Sequence, residues 1–264
     1  CNNNSEAIFQ LQWLQGSTDA IGWGCNNSIS TYFGWSTMVS EQNWGNATYA
    51  SYDLVRAYDP QDRTRRHYTI ATVGEYYPDL NTKNGGYTYN VTETGYDNKC
   101  NFKKYVIGKI DDNGQSYAQS SGMNTYMMRL AEVYLNLAEA ILGNNASTSE
   151  QAACDAFNAV RKRAGMPSLT TITYSDIHYE RRIELAFENH RYFDTRTWMI
   201  AEDVDGGPMY GMDTLFPGTG DTAPAGYWKR VVFETRVFNS NHYLYPFTQR
   251  ELDRNKLLVQ NYGW

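Results

Sequence analysis

The sequence is short of positive charge, of clustered metal ligands, and of the short signatures that catalysis usually leaves. Its 264 residues carry 23 Lys and Arg against 29 Asp and Glu, a net charge of −6. No basic cluster opposes that excess, which argues against a nucleic-acid partner. The four cysteines (Cys1, Cys25, Cys100 and Cys154) stand far apart without a CxxC pair, so no zinc site is implied. They could pair or stay free. No apolar run is long enough to span a bilayer, and no stretch reads as a signal peptide. GxSxG, HExxH, P-loop and dinucleotide fingerprints are all absent. The four histidines (His67, His178, His190 and His242) lack ligand spacing, and no cofactor is expected.

What is abundant is aromatic. There are 22 Tyr and 7 Trp, set among Asn, Gly and Thr, a mix that suits a secreted or surface protein. Residues 14–58 hold many of them, with no sustained period except a helix expected over Ala50–Tyr58. Long irregular stretches are functional or disordered, and this aromatic content argues against disorder. A sugar ring lays its C–H face on an indole or phenol ring, while its hydroxyls need polar partners at the edge. Trp23, Trp35, Trp44 and Tyr32 are candidate platforms, with Asn26, Asn27, Asn43 and Asn46 as hydrogen-bonding neighbours. Gly22, Gly24 and Gly34 leave room for close approach. The competing reading is that some of these tryptophans fill the core. Tyr210, in a Gly- and Pro-rich loop expected over Glu202–Tyr227, is a further candidate.

Alternation predicts strands over Ser5–Trp13, His67–Val73, Lys103–Ile107 and Trp228–Phe238. Asp111–Gly114 reads as a turn and not a calcium loop, because its twelfth position is Gly122 where a bidentate Glu is needed. The basic segment Arg63–Arg66 reads as salt-bridging structure. Helical period predicts packed helices over 126–142, 149–163 and 175–195, the first largely buried behind a narrow polar stripe. Ser147 with Glu150, and Thr248 with Glu251, fit capping boxes, and Ser175 is a candidate cap for the third helix.

That third segment organises the chain. Over Glu180–Asp194, Glu180, Glu184 and Glu188 repeat at i,i+4, like charges that destabilise an isolated helix. Arg181 and Arg191 are expected to offset them. Ile183, Ala186, Phe187 and His190 share another side, so the stretch should be held between neighbours and not laid on a surface. An acid pair such as Glu184/Glu188 beside arginines stays ionised and makes a poor general acid.

Glu180-Arg-Arg-Ile-Glu-Leu-Ala-Phe-Glu-Asn-His-Arg-Tyr-Phe-Asp194 resembles the C-terminal signature of the SusD/RagB family. Arg129–Ala140, Val160–Gly165, Tyr243–Phe247 and Gln260–Trp264 agree with it in the family's order. The resemblance implies a mainly α, SusD-like fold with tetratricopeptide-type helix pairs, long irregular loops and a few short strands. Residues 1–125 would be the ligand-facing region and 126–264 the helical region of one continuous domain. It implies a non-enzymatic, lipid-anchored protein on the outer face of the outer membrane, which hands oligosaccharide to a SusC-like TonB-dependent transporter. Peptide capture, as in RagB-type relatives, is the alternative, and a glycoside hydrolase is a weaker one. The placement of the motifs matches the C-terminal half of a family member. An N-terminal half of the same protein is then the expected cover for the apolar faces of the helix pair.

Overall fold

The computed structural model describes residues 4–14, 27–34, 38, 50–72, 74–89, 100–108, 121–214 and 228–264. In chain order the first elements are β1 (Ala7–Leu11), α1 (Ile29–Phe33), α2 (Tyr52–Ala57), α3 (Arg63–Thr69), β2 (Ile70–Thr72), β3 (Tyr76–Tyr77), β4 (Tyr87–Thr88), β5 (Cys100–Phe102) and β6 (Thr125–Arg129). Then come α4 (Leu130–Leu142), β7 (Ser147–Thr148), α5 (Gln151–Arg163), β8 (Ile172–Thr173), α6 (Tyr174–Glu184), α7 (Arg191–Thr197), α8 (Ala201–Val204), β9 (Gly207–Thr214), β10 (Trp228–Arg236) and α9 (Gln249–Arg254). Helix outweighs strand. The strands among the described residues pair only as antiparallel two-stranded ribbons: β1–β6, β2–β5, β3–β4, β7–β8 and β9–β10.

The principal core lies between α4, α5 and α6. Ala131, Leu135, Ala138 and Leu142 recur at helical spacing on α4 and meet Ala153, Phe157 and Val160 of α5, with Ile172 and Ile177 closing the cluster. The other side of α4 is only partly covered, since Val133 and Leu137 are exposed. That corrects the expectation of a largely buried helix. Gly165, in the left-handed region at φ 74°, ends α5, and the Met166 amide reaches back to the Arg161 carbonyl at 2.9 Å. Asn158 then brackets Leu169 with two 2.8 Å hydrogen bonds and leads the chain into β8.

Several boundaries differ from expectation. The first long helix starts at Leu130, because Thr125–Arg129 pairs with β1 and the Leu130 amide donates to the Glu6 carbonyl at 2.9 Å. An apolar run such as Tyr126–Met128 satisfies either period, and the partner strand decides. Thr173 caps α6 through a full capping box with Asp176, so the cap is not Ser175. Ser147 pairs in β7 with Thr173, and Glu150 itself occupies the cap position of α5, so the expected Ser147–Glu150 box does not form. Thr248 does accept from the Glu251 amide, at 3.4 Å. His67–Thr69 is helical in α3, the strand pairing with Ile70–Thr72 is Cys100–Phe102 and not 103–107, and Gly207–Thr214 is a strand, not loop.

The expected helix over 175–195 is broken. It stops at Glu184 and resumes at Arg191, with Phe187 and Asn189 at φ 66° and 67°. Packing overrides period here. The Phe187 ring meets Phe102 edge-on at 3.9 Å between centroids, and two cations take the carbonyls that the break leaves unpaired. Lys104 Nζ donates to the Ala186 carbonyl at 3.0 Å and Arg129 Nη2 to that of Glu184 at 2.8 Å.

Candidate functional site

Trp23, Trp35, Trp44 and Asn43 lie outside the described residues, as does Asp111–Gly114. Tyr32 sits on α1 and is 43% exposed. The backbone of Tyr210 pairs with Val232 in the β9–β10 ribbon. What the structure shows is how the described residues of the segment, Trp13, Asn27, Ser30, Phe33, Met38 and Ala50, are held.

Trp13 donates its indole N–H to Thr125 Oγ1 at 3.0 Å, and its amide donates to Asn124 Oδ1 at 3.3 Å. The Asn27 backbone bridges to Ser121. Its buried side chain donates to the Met123 carbonyl at 2.9 Å and accepts from the Ile29 amide at 2.9 Å. Asn27 is therefore a loop anchor and not a partner for sugar hydroxyls. Ser30 Oγ accepts from the Ile107 amide at 3.0 Å, and Phe33 stacks on Phe102 at 4.7 Å. Met38 is fully buried among Tyr77, Leu80, Tyr87 and Tyr89, and its carbonyl accepts from the Asn81 amide at 2.7 Å. Ala50 is buried as well, its carbonyl accepting from the Cys100 thiol at 3.0 Å. Cys100 and Cys154 are both buried.

Beneath this region the signature stretch forms a buried charge cluster. Glu180, Glu184 and Glu188 are all buried. Arg65 of α3 reaches Glu180 at 2.6 Å and Glu184 at 3.1 Å, and also pairs with Asp62. Arg129, at the end of β6, reaches Glu184 at 2.7 Å, Glu188 at 2.6 Å and Glu6 at 2.7 Å. Arg161 meets Glu180 at 3.0 Å, Arg163 meets Glu184 and Lys104 meets Glu188. The packed reading of the stretch holds, but the compensating cations differ from those expected. Arg181 instead holds Asp194 at 2.8 Å and Asn136 at 2.5 Å. Sequence reasoning missed Lys104 and Arg129, and local spacing carries no signal for partners 84 and 59 residues from Glu188.

The electrostatics decide what these carboxyls can do. Burial alone would raise Glu184, but Arg129, Arg163 and Arg65 more than offset it and hold the carboxyl at about 2. Burial likewise opposes ionisation of Glu188, and Lys104 with Arg129 overcomes it. A general acid needs its proton near neutral pH, so this pair joins elements together and is unsuited to acid catalysis. His190 Nδ1 lies 3.6 Å from Glu132 Oε1, a half-buried structural histidine.

Two clefts flank the cluster. One, of about 370 Å³, has Tyr68, Tyr105 and Tyr126 around Arg129 and Glu184. The other, of about 610 Å³, lies between α2, the end of α6 and β9, with Leu54, Arg182, Phe187, Arg191 and Met209 on its walls. Both volumes fall in the small-molecule range of about 300–1,000 Å³. Among the described residues no group of His, Cys, Asp and Glu is arranged to hold a metal ion.

The chain is 36% identical over 201 residues to a SusD-like protein of Bacteroides ovatus, an alignment covering 75% of this chain and 35% of that protein. A structure solved with xylogluco-oligosaccharide superposes with a TM-score of 0.74 at 28% identity, covering 97% of this chain and 54% of the other. A SusD-like protein of Bacteroides fragilis shares the fold, with a TM-score of 0.73 at 24% identity over 99% of this chain and 55% of its own. The chain thus spans about a third of the length of the curated relative and about half that of the solved ones. The SusD family model matches residues 5–264, a span that includes every segment of the resemblance, and the chain belongs to the SusD family.

Proposed function

We propose that this chain is part of a non-enzymatic, cell-surface oligosaccharide-binding protein. It delivers its ligand to a SusC-like TonB-dependent transporter in the outer membrane. The observation that carries the glycan reading is the relative solved with xylogluco-oligosaccharide, which aligns over 97% of this chain. Two features of this chain support it. Trp13, Asn27, Ser30 and Ala50 are held by Thr125, Ser121, Ile107 and Cys100, so described residues that flank and punctuate the aromatic stretch are fixed to the scaffold. The carboxyl pair of the signature is held ionised, which suits scaffold and not glycoside hydrolysis. In this reading residues 1–125 carry the ligand face and 126–264 support it, while lipid anchoring and the transporter contact belong to the whole protein.

The test is a glycan array with the full-length protein, followed by titration of Trp23→Ala and Trp35→Ala. Each variant is expected to keep its fold and lose roughly 1–3 kcal/mol, by analogy with stacking on aromatics. Capture of oligopeptides with no glycan bound would replace this reading, and release of reducing sugar would overturn its non-enzymatic part. For transport, copurification with a transporter barrel is expected, and its absence from native membranes would refute that step.

A further inference from the structure

Nearly all the arginines drawn into this interior are matched. Arg65, Arg66, Arg129, Arg161, Arg181 and Arg196 each hold at least one carboxylate. Arg182 and Arg191 differ. Both are half-buried on the wall of the 610 Å³ cleft, and neither makes a hydrogen bond or ion pair among the described residues. Arg182 projects from α6, and Arg191 opens α7 beyond the break, so the break brings two guanidiniums to one cavity. Burial pulls both below the ordinary arginine range, and Arg182 lowers Arg191 further. Like charges held together out of water are costly unless an anion joins them.

The carboxylates of the cleft do not serve that purpose. Asp194 is taken by Arg181 and Asp205 by Arg196 and Thr195, while Asp53 and Asp203 stand exposed on the rim. Asp53 attracts Arg182, and Asp205 and Asp194 attract Arg191, but burial outweighs them in both cases. The floor between is apolar, formed by Leu54, Leu185, Ala186 and Met209. Planar guanidiniums bind carboxylate and sulfate through paired N–H donors. The exposed Asp203 carboxylate on the rim accepts from hydroxyls, which a saccharide carries and a sulfate ion does not.

We propose that this cleft binds the anionic group, a uronate carboxylate or a sulfate ester, of an acidic saccharide through Arg182 and Arg191. This deepens the glycan-binding reading and rests on it.

The experiment titrates full-length protein with oligogalacturonate, a sulfated oligosaccharide and neutral xylogluco-oligosaccharide. Wild type, Arg182→Gln, Arg191→Gln and the two Lys variants are compared. Each Gln variant should weaken binding of at least one anionic probe by about tenfold or more, and Lys should restore part of it. Neutral binding should not change, which also shows that the variants are folded. Raising salt from about 50 to about 500 mM should weaken the anionic probe selectively. Whichever anionic probe responds identifies the group. Neutral binding with no arginine-dependent anionic binding overturns the acidic-saccharide site, because a carboxylate of the protein itself then fills the cleft. If no saccharide of any charge binds, the glycan-binding reading falls with it.

Discussion

Glu184 shows how one residue joins distant parts of the chain. Its side chain is 1% exposed and meets Arg65 at 3.1 Å, Arg129 at 2.7 Å and also Arg163. Replacing it by Gln keeps the shape and removes one carboxylate from three guanidiniums, of which Arg65 keeps Glu180 and Asp62 and Arg129 keeps Glu188 and Glu6, so Glu184→Gln should cost about 2–3 kcal/mol of stability by urea denaturation. A cost under 1 kcal/mol would mean that water or a neighbour compensates. The same contacts fix the sign of the acid response. The folded Glu184 carboxyl sits at about 2, against an ordinary value of 4.5. The stabilisation is therefore complete above about 4.5 and is lost as pH falls toward 2, on the order of 3 kcal/mol in all. Glu75, also held near 2 by Arg66 and His67 against the effect of burial, loses stability over the same window. Unfolding free energy measured from pH 6 to pH 2 should fall steeply below pH 4.5, and in Glu184→Gln the fall should be shallower. The glutamate ladder was legible in the sequence because its spacing is local. Its cations were not, since Arg129 is 55 residues away from Glu184 and Arg65 is 119.

Among the elements, period and punctuation located the helices, and long-range partners set their ends. Gly165 stopped α5 as its sequence position implied, and the apolar stripe of α4 could be read directly. The end of α6 could not, because Phe187 and Asn189 enter the left-handed region to seat a ring on Phe102 and to present carbonyls to Lys104 and Arg129. Asn189 is exposed, so its backbone geometry can be tested apart from packing. Asn189→Gly should be neutral or stabilise by up to about 1 kcal/mol, and Asn189→Val should destabilise by about 1–2 kcal/mol. Equal melting temperatures for the two would argue against a left-handed residue there. At the other end of α6, Thr173→Ala removes the side-chain half of the capping box, leaving the backbone amide of residue 173 on the Asp176 carboxylate, and should cost about 1 kcal/mol, whereas Ser175→Ala, the cap that the sequence alone suggested, should cost little. Reversal of that order in thermal melts would restore Ser175 as the cap.

At the scale of the whole molecule, large apolar side chains stand exposed on several separate elements. The core between α4, α5 and α6 is closed on one side only, with Val133 and Leu137 of α4 exposed on the other. The β1–β6 ribbon leaves Ile8, Phe9 and Met127 open, with Phe9 62% exposed. The C-terminal segment adds Leu257 at 91% and Tyr262 at 87%. The aromatic richness of residues 14–58 was visible in composition. Which polar and apolar residues of that segment are buried was not, because that depends on distant partners such as Met123 for Asn27 and Tyr77 for Met38. Exposed apolar side chains on a helix face, a ribbon and a terminal segment favour contact with another surface. Residues 1–264 expressed alone should therefore self-associate, seen as rising apparent mass with concentration in light scattering. Phe9→Ser and Leu137→Gln lie on this open surface, so they should lower the association while leaving the thermal transition within about 0.5 kcal/mol. A monodisperse, cooperatively unfolding monomer at all concentrations would show that these faces need no cover.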